Sequence, residues 1–198
     1  MNSSNIIKII VTVVIMGIIG LFATGNIKIG QPSTGSVPQN NNSSVSQETQ
    51  SPAALAVGNA FPDFSLTEVD GKTISRDSLK GKPEIIWFTT SWCTPCQIGA
   101  QDVSKLDNEL GGEAFNVLVV FVDPKEKDSD LILWRKRFAN PDWMVAFDNE
   151  LTKLATKVNL KFLDSKFLLD KNGVIQNIDF KIADENYLNI IKQVVREN

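Results

Sequence analysis

The chain has 198 residues and only two cysteines, which sit two residues apart in Trp92-Cys93-Thr94-Pro95-Cys96. The stretches on either side of this pair limit the fold more than any other feature. Before it, Glu84-Ile85-Ile86-Trp87-Phe88-Thr89-Thr90 is β-branched and aromatic, the composition of a buried strand. After it, Gly99, Val103, Leu106 and Leu110 recur at spacings of four, three and four, which gives a helix one apolar face. Gly111-Gly112 then stops that helix. A second continuous apolar run, Asn116 to Val122, reads as another buried strand. The chain is therefore of the α/β class, with its cysteine pair at a strand-to-helix junction.

That junction has a chemical consequence. A helix begins with unpaired backbone N–H groups and the positive end of its dipole, so a thiol there ionises more readily. Cys93 occupies the helix start, and Cys96 lies one turn in, where burial keeps its thiol protonated. Attack by one thiolate followed by release through the second thiol needs this spacing and this asymmetry. Two plainer readings are weaker. A zinc site needs four ligands, and the chain holds no further cysteine and no histidine. A purely structural disulfide closing so short a loop would restrain little of the unfolded chain. The absence of histidine also removes Ser-His-Asp and Cys-His nucleophile pairs, His-based zinc hydrolysis and haem ligation by imidazole. A net charge of −3 gives no sign of nucleic-acid binding.

In chain order, Ile6 to Ala23 is apolar except for Lys8, Thr12 and two glycines. At about 1.5 Å per residue its length just crosses a bilayer core. Residues 1–30 are read as a membrane anchor or a signal segment, the anchor favoured because the apolar run outlasts a usual signal core. Residues 31–57 are rich in Ser, Asn, Gln and Pro with Glu48 the only charge, a tether that cannot bury enough apolar surface to fold. The folded domain is expected over residues 58–198. It opens with Phe61 to Thr67, a turn at Asp70-Gly71 and Lys72-Thr73-Ile74, a hairpin pattern. Ser75 is placed to cap a short helical turn that Gly81 ends. Asp128 or Ser129 is expected to cap a helix with Leu131, Trp134 and Phe138 inward and Arg135, Lys136 and Arg137 solvated. Trp143 to Phe147 is a short strand, and Asp148 caps a helix with Leu151, Leu154, Ala155 and Val158 inward. Phe167-Leu168-Leu169 and Val174-Ile175 flank Asp170-Lys171-Asn172-Gly173, a strong hairpin signal. Asp184 opens a final helix with Leu188, Ile191 and Val195 on one face.

Four stretches together carry a family likeness: Phe61-Pro62-Asp63-Phe64, Asp70-Gly71-Lys72, Trp92 to Cys96, and Phe167 to Gly173. The chain resembles thioredoxin-fold proteins, in particular the membrane-tethered TlpA/ResA-type thiol–disulfide oxidoreductases of the AhpC/TSA-related superfamily. The resemblance implies a thioredoxin-like fold, with a mixed central sheet flanked by helices and an N-terminal hairpin extension. It implies extracytoplasmic placement, a redox-active disulfide with no other cofactor or metal, and partners that are protein thiols and disulfides together with a membrane electron donor. Cys93 would be the nucleophile and Cys96 the resolving thiol, with Trp92, Thr94 and Pro95 tuning the couple or lining the substrate groove. Two positions depart from the pattern. Relatives often carry a glutamate three residues after the second cysteine, where this chain has Gly99. The proline that faces the disulfide in relatives, just before the strand Phe167-Leu168-Leu169, is replaced by Asp164. If its carboxylate lies near the sulfurs it disfavours the Cys93 thiolate and lowers the potential; the alternative is an outward-facing turn residue.

Two other classes of function use the same cysteines. Thr90-Ser91-Trp92-Cys93 satisfies the Thr-x-x-Cys pattern of a peroxiredoxin-type peroxidase, but Ile86 stands where the expected proline would be and the partner cysteine is too near. Alternatively, two copies of the pair could supply four sulfurs for zinc or a [2Fe–2S] centre, a non-enzymatic thiolate carrier that an oxidising compartment disfavours.

Overall fold

The computed structural model describes residues 55–148 and 153–198. The N-terminal apolar segment, most of the tether and Leu151 lie outside the described residues. No helix among the described residues is long and apolar enough to cross a membrane.

Five strands form the main sheet: β3 (Glu84–Thr89), β4 (Asn116–Phe121), β5 (Met144–Phe147), β6 (Ser165–Leu169) and β7 (Ile175–Asp179), in the order β5-β4-β3-β6-β7. β4 runs parallel to β3 and β5, while β6 is antiparallel to β3 and β7. The sheet is therefore mixed, and its central strand β3 is buried along its whole length. That is why β3 reads as an unbroken apolar run rather than an alternating one. A two-stranded hairpin, β1 (Ser65–Thr67) with β2 (Thr73–Ser75), adds the expected N-terminal extension, and Glu68 bridges it to Ala146 in β5.

Alternate residues of β3 enter different cores. Ile85 and Trp87 pack with the helices α2 (Thr94–Glu109), α3 (Asp128–Phe138) and α5 (Glu185–Glu197). Ile86 and Phe88 pack with the hairpin, with Leu79 of the short helix α1 (Arg76–Leu79), and with Leu154 and Val158 around the short helix α4 (Leu154–Lys157). Each large apolar side chain fully buried in these layers contributes about 1.5–3 kcal/mol.

The helix boundaries follow local chemistry. Ser75 and Ser78 exchange side-chain and backbone hydrogen bonds at the start of α1, at 3.2 and 2.9 Å. Asp184 accepts the Tyr187 N–H at 3.0 Å to open α5. α2 ends where Gly111 and Gly112 adopt φ of 92° and 77°, which lets the Gly112 N–H reach Asp107 O at 2.8 Å. Asp148 caps α4 from a distance, accepting the N–H groups of Leu154 and Ala155 at 2.7 Å each.

Two expectations are corrected. α3 starts at Asp128, and its cap comes from Asp130, whose carboxylate accepts the Lys127 N–H at 2.9 Å. Arg135 is not on a solvated face: it donates to Glu68 at 3.0 Å and to Trp143 O at 3.2 Å, tying α3 to the hairpin extension. Lys136 and Arg137 are exposed as expected.

The redox pair and the buried network beside it

β3 delivers the chain to the redox pair. After Thr89 the backbone turns, the Cys93 N–H bonds Thr90 O at 3.2 Å, and Cys93 becomes the N-cap of α2. Among the described residues no side chain caps this helix start, which leaves unpaired N–H groups in the turn that follows Cys93. Pro95 falls within the first turn, where a missing N–H costs nothing. Cys93 and Cys96 are joined by a disulfide with an S–S distance of 2.03 Å. Both are buried, Cys96 completely and Cys93 at 6% exposure, so Cys93 is the slightly more open of the two.

Around the pair, Trp92, Thr94 and Pro95 are all exposed, Trp92 at 61%. The Trp92 indole N–H donates to the Asp123 carboxylate at 3.0 Å, and the Ser91 N–H donates to the Glu126 carboxylate. The loop after β4 thus clamps the residues that lead into Cys93. Asp123 is held below the usual carboxylate range, first by the Lys125 backbone N–H and then by this indole. Gln97 completes the frame, donating through its amide to Ser91 O at 2.7 Å.

Asp164 is not an outward-facing turn residue. Its backbone has a φ of 67°, its N–H bonds Phe88 O at 3.0 Å, and it is 5% exposed. One carboxylate oxygen accepts the Trp87 indole N–H at 2.9 Å and the Lys166 ammonium at 3.1 Å. The other oxygen is buried with no partner among the described residues. Burial pushes the Asp164 carboxyl above its ordinary range, and Lys166 and then Trp87 pull it back.

Lys166 is fully buried, opposite Trp87 in the β3–β6 register. Its ammonium donates to Asp164 O at 2.8 Å and to Lys181 O, and pairs with Asp179 at 3.1 Å. It also lies 5.0 Å from the Trp87 ring and 5.5 Å from the Tyr187 ring. Burial drives the Tyr187 hydroxyl well above its ordinary range, helped by Asp179 and Asp164.

Gly99 belongs to the same arrangement. A β-carbon at this position would lie 3.1 Å from Ala183 N and 3.2 Å from the outer ring carbon Cη2 of Trp87. The indole occupies the space that a glutamate would need. Sequence reasoning found Gly99 and Asp164 as separate departures, and the structure joins them through Trp87. It missed Lys166 because the strand was begun at Phe167. The available signal was alternation, which puts Lys166 on the same face of β6 as the core residue Leu168.

Comparison with known proteins agrees with this geometry. The AhpC/TSA family model matches residues 57–178. The thiol:disulfide interchange protein DsbE of Pseudomonas aeruginosa is 24% identical over 153 residues, covering 74% of this chain and 81% of that protein. The thiol-disulfide oxidoreductase ResA of Geobacillus kaustophilus is 26% identical over 125 residues, covering 63% of this chain and 70% of that one. Among solved structures, the thioredoxin domain of a thiol-disulfide oxidoreductase from Bacteroides vulgatus superposes with a TM-score of 0.61 at 18% identity, covering 72% of this chain and 99% of that one. This last likeness establishes a thioredoxin-like fold. The family match covers more than half of the sequence, and the chain belongs to the AhpC/TSA family.

Proposed function

We propose that this thiol–disulfide oxidoreductase exchanges electrons with protein dithiols outside the cytoplasm, tethered to the membrane by residues 6–23. The observation that carries the reading is the Cys93–Cys96 disulfide at the open start of α2, with the second sulfur buried. In the reducing direction, the Cys93 thiolate attacks one sulfur of a partner disulfide and releases the other as a thiolate. Cys96 loses its proton and attacks Cys93 in the mixed disulfide, which re-forms the Cys93–Cys96 bond and frees the second partner thiolate. Two electrons pass to the partner. A membrane electron donor then restores the dithiol, and the reverse sequence oxidises a partner.

Trp92, Thr94 and Pro95 form the exposed rim that a partner meets, and Asp164 tunes the couple from the loop before β6. The extracytoplasmic placement is supported by the apolar segment followed by a neutral tether and by the compartment in which such disulfides persist. Redox titration of the full chain in glutathione or dithiothreitol buffers tests the exchange. A single reversible two-electron transition is expected, and a pair that stays oxidised or reduced across the accessible range would overturn it. For the placement, carbonate washing should leave the chain in the membrane pellet, and its release would count against the anchor.

A further inference from the structure

Phe162 and Phe180 are large apolar side chains left open to solvent, at 61% and 50% exposure, and Ile182, two residues further on, is 42% exposed. The two rings meet edge to face with centroids 5.9 Å apart, so they form one patch. Single apolar residues scattered over a surface are ordinary, whereas a contiguous patch marks a contact site. The rings share a cavity of about 420 Å³ with Leu55, Lys157, Lys161 and Ile178.

Cations surround this patch. Lys161 precedes Phe162 and Lys181 follows Phe180; both are exposed, with no carboxylate partner among the described residues. Lys157 donates to the backbone carbonyl of Asp63 at 3.1 Å, which leaves its charge uncancelled. The carboxylates that adjoin the patch in sequence or contact are already engaged. Asp63 pairs with Arg76, Asp164 and Asp179 pair with the buried Lys166, and Asp184 caps α5. Place adds to charge. The described residues begin at Leu55, on the wall of the cavity, so the sequence that joins the domain to the apolar segment 6–23 enters at this patch. Ser165 pairs with Phe88, and Lys166 with Asp179. Both loops that carry the phenylalanines therefore leave the sheet at the edge where β3 ends and the redox segment starts.

We propose that Phe162, Phe180 and Ile182, ringed by Lys157, Lys161 and Lys181, form a docking face that lays the domain on an anionic lipid surface. This rests on the membrane-anchored reading given above. A bilayer with anionic headgroups takes the apolar side chains into its interfacial layer and the ammonium groups against its phosphates, with the lysine stems lying along the apolar patch. Each lysine near such a surface favours docking by about fivefold. Docking on this face turns the redox end of the sheet toward the bilayer, where the membrane electron donor of the proposed function resides.

The test uses the full chain at excess lipid with two kinds of vesicle, phosphatidylcholine alone and phosphatidylcholine mixed with phosphatidylglycerol. Pulse acylation with a water-soluble amine reagent, read lysine by lysine, reports which ammonium groups the bilayer covers. On the anionic vesicles Lys157, Lys161 and Lys181 should react about fivefold more slowly than on the neutral ones, while the exposed Lys82 and Lys136 keep their rates. Phe162→Ser combined with Phe180→Ser should abolish the difference, and because both side chains are exposed the fold is kept. Equal rates on the two kinds of vesicle, or slowing that extends evenly to Lys82 and Lys136, would overturn the proposal. So would protection that survives the double substitution. Carbonate washing of the same samples separates the two claims: release of the chain overturns the anchor, and the lysine rates at excess lipid still decide the docking face.

Discussion

Gly99 offers the sharpest test of how the helix that carries the redox pair is seated. A β-carbon there would lie 3.1 Å from Ala183 N, 3.2 Å from Trp87 Cη2 and 3.3 Å from Ala183 Cβ. Carbon contacts normally settle at about 3.5–4.0 Å. The neighbours would have to retreat by a few tenths of an ångström, yet Trp87 is fully buried and Ala183 is 2% exposed. Overpacking of this kind costs about 1–3 kcal/mol, and replacing glycine by alanine inside a helix returns about 1 kcal/mol. Gly99→Ala should therefore destabilise the oxidised protein by about 0–2 kcal/mol instead of stabilising it. Gly99→Glu, which restores the residue often found in relatives, adds one further methylene and a carboxyl group against the same indole. It should cost at least about 3 kcal/mol. Guanidinium unfolding of the disulfide-bonded full chain gives these values. Removing the outer ring of the indole with Trp87→Phe should relieve the overlap, so Gly99→Ala and Trp87→Phe should couple by about 1 kcal/mol in a double-mutant cycle. A Gly99→Ala variant that gains the full helix-propensity benefit, with no coupling to Trp87, would refute the packing argument.

Asp164→Asn keeps the shape of the side chain and removes one negative charge. The reduction potential should rise and the Cys93 pKa fall together, by up to about 30 mV and one unit, and no change in either would place the charge too far from the sulfurs to tune them. Glu84, buried at the start of β3, has its carboxyl pushed up to about 8 by desolvation, against a smaller opposing effect of Arg76. The unfolded chain releases this proton near 4.5, so Glu84 costs nothing below that pH and stability is lost as pH rises toward about 8, at roughly 1.4 kcal/mol per unit. Glu84→Gln should flatten this slope in guanidinium unfolding between pH 5 and 8, and parallel profiles for the two proteins would contradict the assignment.

Elements set by local chemistry were legible in the sequence. The apolar run of β3, the Gly111-Gly112 stop, the Ser75 and Asp184 caps and the Asp170 to Gly173 turn all depend on residues within a few positions of one another. The redox pair was legible for the same reason, since Cys93 and Cys96 share one helical turn. Interactions that depend on strand register were not. Trp87 and Asp164 are 77 positions apart in sequence, and only the antiparallel pairing of β3 with β6 brings Lys166 opposite Trp87. Arg135 follows the same rule: its charge run reads as solvated until the bridge between Glu68 and Ala146 brings the hairpin extension within its reach. The α3 cap differed for a local reason. Several acidic and hydroxyl residues crowd positions 128–130, and the carboxylate of the third helical residue, Asp130, reaches back to the N–H of the residue before the helix, so the start is fixed from inside the helix.

The central claim is that Cys93 attacks and Cys96 resolves, and trapping the intermediate tests it most directly. Full-length Cys96→Ser and Cys93→Ser proteins are each reduced and mixed with a disulfide-bonded protein, then quenched in acid and resolved without reductant. The account predicts that Cys96→Ser accumulates a mixed disulfide through Cys93, while Cys93→Ser, with its one thiol buried under the helix, accumulates little. Equal trapping by the two variants, or trapping through Cys96 alone, would contradict it.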